Sequence, residues 1–397
     1  IFTTDSLFPG SHSIKAVAED NEGLISESST INFYLKDLIT TFITAFGGNK
    51  LDGGKEVQQT DDGGYIVTGA TESFGMGSYD AWLVKFDHYG NEEWMRTYGD
   101  VELDWAESVQ QTADGGYIVS GLTENYGAGD RDIWLFKTDK NGDEEWMRTY
   151  GGTEEDLSKS VKQTRDGGYI ITGHTKSYQQ AGNVWLIKTD SLGNEVWNQI
   201  LAGSQSGYGM DVQQCKDGGY IISGYSYVPG GNIFDVLLVK TDQNGNQLWQ
   251  QNWGSNEFEY SNAVQQTADG GFILVGSTST YVPSSLWLIK TDPNGNKLWE
   301  NLYGVSEFGY SVQQTRDECY IITGKTYASG SSDAWLLKTD PNGNEIWNKT
   351  YGDSEYNGTY CVKQTTDDGF IMVGETSYGG GSSDLWLIKT DPEGNVE

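Results

Sequence analysis

Aromatic rings and carboxylates occur together in the segments that vary between copies of an internal repeat of about fifty residues. Rings stack on sugars and on apolar side chains, and carboxylates accept hydrogen bonds, so this combination suits recognition of a sugar or a peptide. Ordinary loop composition, rich in Tyr, Gly and Ser, is the alternative explanation. The candidate ligand-binding residues are Tyr79, Asp80, Trp105, Tyr126, Asp130, Asp132, Tyr178, Tyr227, Phe234, Asp235, Tyr281, Tyr327, Asp333, Tyr378 and Asp384.

Paired carboxylates can also cleave glycosidic bonds, because one acts as general acid and the other as base or nucleophile. The histidines, His12, His88 and His174, fall at unrelated positions, which argues against a histidine metal site or a Ser-His-Asp triad. Arg131 is the one arginine in the variable segments, too few for sialidase-like chemistry. We therefore predict no catalytic residue and no metal ligand, and keep a carbohydrate-active hydrolase or lyase as the alternative.

Recurring Asp-x-x-Gly segments, such as Asp292 to Gly295, have some likeness to calcium loops. An EF-hand loop, however, has Gly at its sixth position and a bidentate acid at its twelfth. Here Gly is fourth and a strand follows at once, as in a type I turn. We predict no cofactor, with calcium as the remaining alternative.

The elements that carry these segments follow from the repeat. Asp132 to Gly152 reads DIWLFKTDKNGDEEWMRTYGG, in which two extended apolar runs flank a turn at Asp139, and this predicts a β-hairpin. A fixed period near fifty residues is typical of a propeller or a solenoid. The Trp after the turn recurs at Trp94, Trp146, Trp197, Trp249, Trp299 and Trp347.

Each copy has four extended segments, which we name strands a, b, c and d in chain order. In the second copy they begin at Ser108, Tyr117, Ile133 and Glu144. Tight turns join a to b and c to d, and longer variable loops join b to c and d to the next a. In a four-stranded meander the tight turns share one end, the turn face, and the variable loops share the other, the loop face. The candidate ligand-binding residues belong to the loop face.

The two ends of the repeated region are complementary. Residues 42–48, FITAFGG, match a strand d with no a, b or c before them, and the last copy stops before its own strand d. We expect the N-terminal strand to complete the last blade, with Phe42 in the Trp position. The sequence therefore predicts an all-β fold, a seven-bladed β-propeller of four-stranded antiparallel blades over residues 39–397, closed by strand 42–48.

Residues that recur in every copy are expected to be structural. A lysine in each strand c should bond a carboxylate or Gln, and the paired Gln of strand a should hydrogen-bond between blades or to channel water. The tryptophans of strands c and d should pack between blades, and a role as ligand platforms is the alternative. The strand-c lysines are Lys85, Lys137, Lys188, Lys240, Lys290, Lys338 and Lys389.

Residues 1–38 do not match the repeat. The segment Pro9 to Gly23, PGSHSIKAVAEDNEG, and the alternating run through Ile31, Phe33 and Leu35 resemble the last two strands of an Ig-like or PKD-like domain. The resemblance implies a C-terminal β-hairpin remnant of such a module over residues 1–38 and a location outside the cell.

The charge balance narrows the range of partners. Acidic residues outnumber basic ones 57 to 25, which gives a formal net charge of −32. Such a charge repels nucleic acid and anionic membranes, and no apolar run is long enough for a membrane span. We predict neither nucleic acid nor direct membrane insertion. The three cysteines, Cys215, Cys319 and Cys361, fall at different repeat positions and form no motif.

The turn, Trp and Tyr-Gly-Gly residues quoted above, followed by Asp-Gly-x-Tyr and Gly-x-Thr, resemble the SBBP-type β-propeller repeat of secreted bacterial and archaeal surface proteins. The chain departs from that pattern at Leu237 and at Glu318-Cys319. The resemblance implies a surface or secreted module with no assigned activity.

We therefore predict a non-catalytic extracellular or cell-surface propeller for adhesion, surface architecture, or glycan or protein binding. Its expected partners are an extracellular glycan or protein, or neighbouring subunits or modules of a surface assembly. Two Asn-x-Thr sequons are glycosylation candidates, Asn348 on a strand d and Asn357 on a predicted d to a loop, and the loop position makes Asn357 the preferred one.

Overall fold

The computed structural model describes residues 39–178, 182–201, 206–228, 233–279, 284–304, 307–327, 331–352, 355–377 and 382–396, together with the backbone of four N-terminal strands. These are β1 (Gly10–Ile14), β2 (Val17–Glu19), β3 (Ile25–Glu27) and β4 (Ile31–Leu35). β1 pairs with β4 and β2 with β3, both antiparallel. The chain forms two compact units, Ile1–Thr40 and Thr41–Glu397. The Ig-like or PKD-like character of the first unit stays a prediction.

The second unit is a seven-bladed β-propeller of four-stranded antiparallel blades, and its described regular secondary structure is all strand. This confirms the predicted fold class. The strands of blades one to six are β6 (Asp52–Gln59), β7 (Tyr65–Thr71), β8 (Asp80–Phe86), β9 (Glu92–Tyr98); β10 (Asp104–Gln111), β11 (Tyr117–Thr123), β12 (Asp132–Thr138), β13 (Glu144–Tyr150); β14 (Asp156–Gln163), β15 (Tyr169–Thr175), β16 (Asn183–Thr189), β17 (Glu195–Leu201); β18 (Gly207–Gln214), β19 (Tyr220–Tyr227), β20 (Phe234–Thr241), β21 (Gln247–Trp253); β22 (Glu259–Gln266), β23 (Phe272–Thr278), β24 (Ser285–Thr291), β25 (Lys297–Tyr303); β26 (Glu307–Gln314), β27 (Tyr320–Thr326), β28 (Asp333–Thr339) and β29 (Glu345–Tyr351). The seventh blade has β30 (Asn357–Gln364), β31 (Phe370–Thr376), β32 (Asp384–Thr390) and β5 (Phe42–Phe46).

The last blade is completed by the N-terminal strand, as the sequence predicts. β5 pairs antiparallel with β32, from Phe46 opposite Leu385 to Phe42 opposite Lys389. Phe46 also packs on Trp82 of the first blade, with ring centroids 5.9 Å apart. The strand therefore belongs to the seventh blade by hydrogen bonding and contacts the first blade by packing.

The hydrophobic core lies between the blades. Strands b and c are buried along nearly their whole length, because each blade is covered by a neighbour on both faces. Their sequences are accordingly apolar runs rather than an alternation of apolar and polar residues. Strand d is partly exposed, and its Trp packs on the first aromatic residue of strand b in the next blade, as Trp94 does on Tyr117 at 6.0 Å. Phe42 makes the equivalent contact with Tyr65 at 5.9 Å, so it does occupy the Trp position.

Glutamines at the end of strand a join the blades, as expected. Gln111 Oε1 accepts the amide of Asp61 in the preceding blade at 2.9 Å, while Gln111 Nε2 donates to Gly115 O of its own turn at 3.3 Å. The equivalent glutamines bond the preceding blade at every interface: Gln163, Gln214, Gln266, Gln314, Gln364 and Gln59.

The strand-c lysines fasten the turn between strands a and b, and all of them except the partly exposed Lys338 are buried. Lys137 Nζ donates to Thr138 O at 2.9 Å and pairs with Asp114 at 3.2 Å. The same carboxylate accepts the amide of Gly116 at 3.0 Å, so one Asp ties turn and strand together. All seven copies contain the ion pair, which supports the predicted structural role.

Two of these turns lack the usual glycine. Gly115 has φ +86°, a left-handed conformation that glycine adopts without steric cost. Glu318 and Asp368 take its place in the sixth and seventh blades, with φ of 63° and 66°. The turn is therefore kept where the Asp-Gly-Gly sequence is lost.

Among the described residues, no helix has the length and apolar character needed to cross a membrane.

Candidate functional site

Two of the predicted acids that begin strand c, Asp80 and Asp132, are hydrogen-bonded to the loop before them. Asp80 Oδ2 accepts the amides of Met76 and Gly77 at 3.0 Å each, and Asp132 Oδ2 accepts that of Ala128 at 2.7 Å. Both carboxylates are almost completely buried. They hold the variable loops in place. The same position in other blades is occupied by the predicted residues Asp235, Asp333 and Asp384.

A second acid often meets the first at the blade interface. A Cβ at Gly151 would lie 1.7 Å from Asp132 Oδ1 and 2.8 Å from Asp156 Oδ2, so the two carboxylates approach each other around this glycine. At the preceding interface, burial, reinforced by the nearby Asp80, raises the pKa of Asp104. Most acids predicted from the loop face therefore belong to its framework. Asp130 differs, because it is exposed.

Several of the predicted aromatic residues make separate contacts on the loop face. Tyr79 packs on Trp105 at 5.3 Å between centroids. Tyr126 and Tyr178 each pack on the buried strand-c Trp of their own blade, at 5.8 and 5.2 Å. Tyr327 contacts Phe308 at 5.8 Å and is exposed. Two of the predicted residues lie outside the described residues, Tyr281 and Tyr378.

Five rings of the fourth and fifth blades form one continuous group, which we call the aromatic cluster: Tyr208, Tyr225, Tyr227, Phe234 and Phe258. Tyr208 stacks on Tyr225 at 5.0 Å, Tyr225 contacts Phe234 at 4.8 Å, and Phe234 contacts Phe258 at 4.9 Å. Tyr227 and Phe258 are 38% and 42% exposed. The cluster thus offers two accessible rings on a base of packed ones.

Strand a carries charged residues that the sequence analysis did not select. They line a cavity of about 220 Å³ in the channel, to which all seven blades contribute. Four lysines and three acids face it, in a protein whose acids otherwise greatly outnumber its bases. These residues are Lys55, Glu56, Glu107, Lys159, Lys162, Asp211 and Lys363.

Ion pairs cross the channel at the base of this cavity. Glu56 Oε1 accepts a hydrogen bond from Lys162 at 2.9 Å and lies 3.7 Å from Lys363 Nζ. Burial acts to raise the pKa of Glu56, but the two lysines outweigh it and the pKa is lowered. Burial raises the pKa of Asp211, whose Oδ1 accepts a hydrogen bond from Ser160 Oγ at 2.9 Å. The Glu56 carboxylate therefore links the first, third and seventh blades.

Beside the cavity, residues of the sixth, seventh and first blades form what we call the lysine pocket: Lys325, Tyr356, Tyr360, Lys55 and Glu375. Lys325 Nζ donates to the hydroxyls of Tyr356 and Tyr360, the latter at 2.8 Å, and lies 4.5 and 4.4 Å from their ring centroids. Lys55 Nζ donates to Glu375 Oε1 at 3.2 Å and lies 4.1 Å from the Tyr360 centroid. Two cations thus share the Tyr360 ring, and the acid of the pocket is bonded to Lys55.

Lys325 is buried, and within the described part of the chain it has no ion pair. Burial lowers the pKa of Lys325 to about 8. The positive charge of Lys55 also lowers this pKa, and the negative charge of Glu375 acts to raise it. The position of Lys325 on strand b is the one where the copies differ most, and this divergence was the signal that could have identified it. The equivalent residues are Ala70, Leu122, His174, Tyr225, Ser277 and Glu375.

The sequons lie differently from the prediction. Asn357 is the first residue of β30 rather than part of a loop, and it is 1% exposed. Its Oδ1 accepts Thr376 Oγ1 at 2.6 Å and its Nδ2 donates to Glu355 O at 3.1 Å. The predicted loop position of Asn357 was therefore wrong, and Asn348 is the exposed sequon.

Among the described residues, no three of His, Cys, Asp and Glu come together as a metal site.

No family model and no curated protein matches the chain. Solved structures do match. A streptogramin B lyase superposes with a TM-score of 0.54 at 11% identity over 91% of this chain and 100% of the other. A catalytically inactive virginiamycin B lyase from Staphylococcus aureus with quinupristin gives 0.52 at 11% identity, over 88% and 99%. At such low identity the likeness shows the fold alone. The chain is a seven-bladed β-propeller protein.

Proposed function

We propose that this propeller is a non-catalytic binding module, used outside the cell or at its surface in adhesion or surface architecture, and that it holds a glycan or a protein on its loop face. The observation that carries the proposal is the aromatic cluster. Exposed rings such as Tyr227 and Phe258, packed against partly buried ones, are preordered, so a partner that packs on them does not first have to immobilise them. Rigid aromatic anchors of this kind dominate many binding interfaces.

The placement of the acids favours binding over hydrolysis. Hydrolysis of a glycosidic bond in most glycosidases uses two carboxyl groups that flank the same bond of the substrate. Asp80 and Asp132 are instead buried and bonded to their own loops in different blades. A carbohydrate-active hydrolase or lyase is thereby the less supported alternative.

Three features of the sequence support a location outside the cell: the acidic composition, the Ig-like resemblance of Pro9 to Gly23, and the SBBP-type repeat. Fractionation of the source cells tests this directly. Native protein found in the cytoplasmic fraction would contradict the proposed location.

Binding is tested by screening the protein on an array of neutral and acidic glycans and on immobilised surface proteins, beside a polysaccharide-degradation assay. Replacing both Tyr227 and Phe258 by Ala should weaken binding at least about tenfold, as expected for aromatic anchors. Tyr89 provides the matched control, because it is a comparably exposed ring in a turn between strands c and d. Tyr89→Ala should leave affinity unchanged.

Two results would count against the proposal. Equal affinity of the double variant and the wild type would show that the aromatic cluster is not the binding surface. Polysaccharide turnover that is lost when a single loop-face acid is replaced would establish the enzyme instead.

A further inference from the structure

The lysine pocket breaks the sevenfold repeat on one side of the channel. Lys325 stands where other blades have Ala70, Leu122 or Ser277, and Tyr360 and Lys55 occupy the strand-a position that Met210 fills in the fourth blade. A ring built from similar blades has no structural need for a lysine at this one place. The pocket is therefore a local addition to the fold.

The pocket contains a cation without its counter-ion. A buried ammonium that has only phenol hydroxyls as partners is costly compared with one that has a carboxylate. Glu375 lies near both lysines, but of the two it is bonded to Lys55 alone, at 3.2 Å. At the base of the cavity, Glu56 is shared by Lys162 and Lys363. An incoming anionic group would balance this excess of positive charge.

Unused hydrogen-bonding groups adjoin the cavity. The hydroxyl of Tyr310 makes no hydrogen bond within the described residues, although its ring lies 5.3 Å from that of Tyr360. Glu107 Oε1 accepts a hydrogen bond from Lys159 Nζ, whereas Glu107 Oε2 makes no hydrogen bond with a described residue. A phenol and a carboxylate oxygen suit hydroxyl groups of a ligand, which can both donate and accept.

We propose that the lysine pocket is a second binding site for a small hydroxylated acid, namely a sugar acid. The carboxylate of this ligand binds beside Lys325 and Lys55, and its hydroxyl groups lie toward Tyr310 and Glu107. The adjoining cavity of about 220 Å³, which Lys55, Glu107, Tyr310 and Tyr360 line, has room for a ligand of this size. The site is independent of the aromatic cluster, which lies on the fourth and fifth blades.

Titration calorimetry of the whole chain with three probes tests the proposal. Glucuronate has both a carboxylate and hydroxyl groups, glucose has only hydroxyl groups, and acetate has only the carboxylate. We expect saturable binding of glucuronate that is at least about tenfold tighter than that of glucose, the size of effect expected for a hydrogen bond between charged groups. Acetate should bind more weakly than glucuronate.

The repeat supplies a variant that is compatible with folding. Lys325→Ser introduces the residue that the fifth blade has at this position, Ser277, and should weaken glucuronate binding about tenfold or more. Lys176→Ser is the matched control, because it removes an exposed lysine with the same change in net charge. It should change affinity less than about twofold.

The pH dependence provides a readout that needs no variant. Lys325 faces Glu375, Lys55 and the phenols of Tyr310, Tyr356 and Tyr360, and its pKa is lowered to about 8. Glucuronate binds the protonated amine, so affinity should fall as pH rises from 7 to 9. Binding near pH 8 should take up a proton, measured in buffers of different ionisation enthalpy.

Each other outcome overturns the proposal. Absence of saturable glucuronate binding shows that there is no such site, and equal binding of glucose shows that no carboxylate is recognised. An equal loss in the Lys325→Ser and Lys176→Ser variants attributes the effect to net charge. Affinity that does not change between pH 7 and 9 removes Lys325 from the site.

Discussion

Replacing Phe46 tests how the ring is closed. Its ring lies 5.9 Å from Trp82, 5.8 Å from Phe86 and 6.5 Å from Phe74, all in the first blade, while its backbone pairs with Leu385 of the seventh. A fully buried Phe→Ala substitution costs about 3–5 kcal/mol of unfolding free energy. Phe46 is only half-buried, so we expect about 2 kcal/mol for Phe46→Ala, the lower end of what large core truncations cost.

The same strand contains the control. Ile43 is 50% exposed and points away from the first blade, so Ile43→Ala should change the unfolding free energy by less than about 0.5 kcal/mol. Urea unfolding followed by tryptophan fluorescence measures both. A truncated chain without residues 1–48, which loses β5, should melt below one without residues 1–36, which keeps it. Equal losses of unfolding free energy in Phe46→Ala and Ile43→Ala, or equal melting temperatures of the two truncated chains, would refute the reasoning that β5 closes the ring.

Three further predictions concern the turns, acid stability and glycosylation. Glu318→Gly should raise the unfolding free energy by up to about 1 kcal/mol, because glycine tolerates the left-handed φ of 63°; an unchanged urea midpoint would contradict this. Partial burial acts to raise the pKa of Asp269, but hydrogen bonds from Lys290 and Thr267 lower it from 3.8 to about 2, so its stabilising effect is present above about pH 4 and is lost as pH falls toward 2. Asp269→Asn should therefore flatten the dependence of the urea midpoint on pH in that window, and an unchanged slope would contradict the assignment. In a host that glycosylates secreted proteins, mass spectrometry should find a glycan on Asn348 and none on Asn357; the reverse pattern would contradict the burial of Asn357.

The fold could be predicted because the repeated residues are the ones that build it. Gly115 permits the turn, Trp94 packs on the next blade, and Gln111 bonds the blade before it. Each contact is made between residues with a fixed spacing along the chain, so periodicity in the sequence reports it directly. The number of blades and the role of residues 42–48 followed from counting these residues.

The candidate site was harder to predict, because loop-face residues recur for structural reasons as well. Asp80 and Asp132 occupy the same position in two blades, and such recurrence indicates a shared structural contact, here the bonding of a loop. Lys325 and Lys55 are the opposite case, since each stands at a position where the copies diverge. Their proximity depends on the curvature of the ring, which brings first and sixth blades to one pocket across the seventh.

The pairing of β5 with β32 gives the ring a direction in which it is mechanically weak. The two strands are antiparallel, and Phe42 lies opposite Lys389 near the C-terminal end of β32. Tension applied between Thr41 and Asp391 therefore pulls on one end of the ladder and separates its five residue pairs in succession instead of loading them together. Each of the other six blades has its four strands in one continuous stretch of chain. Under stretching, the propeller should open at this seam and become a linear row of blades before any single blade unfolds.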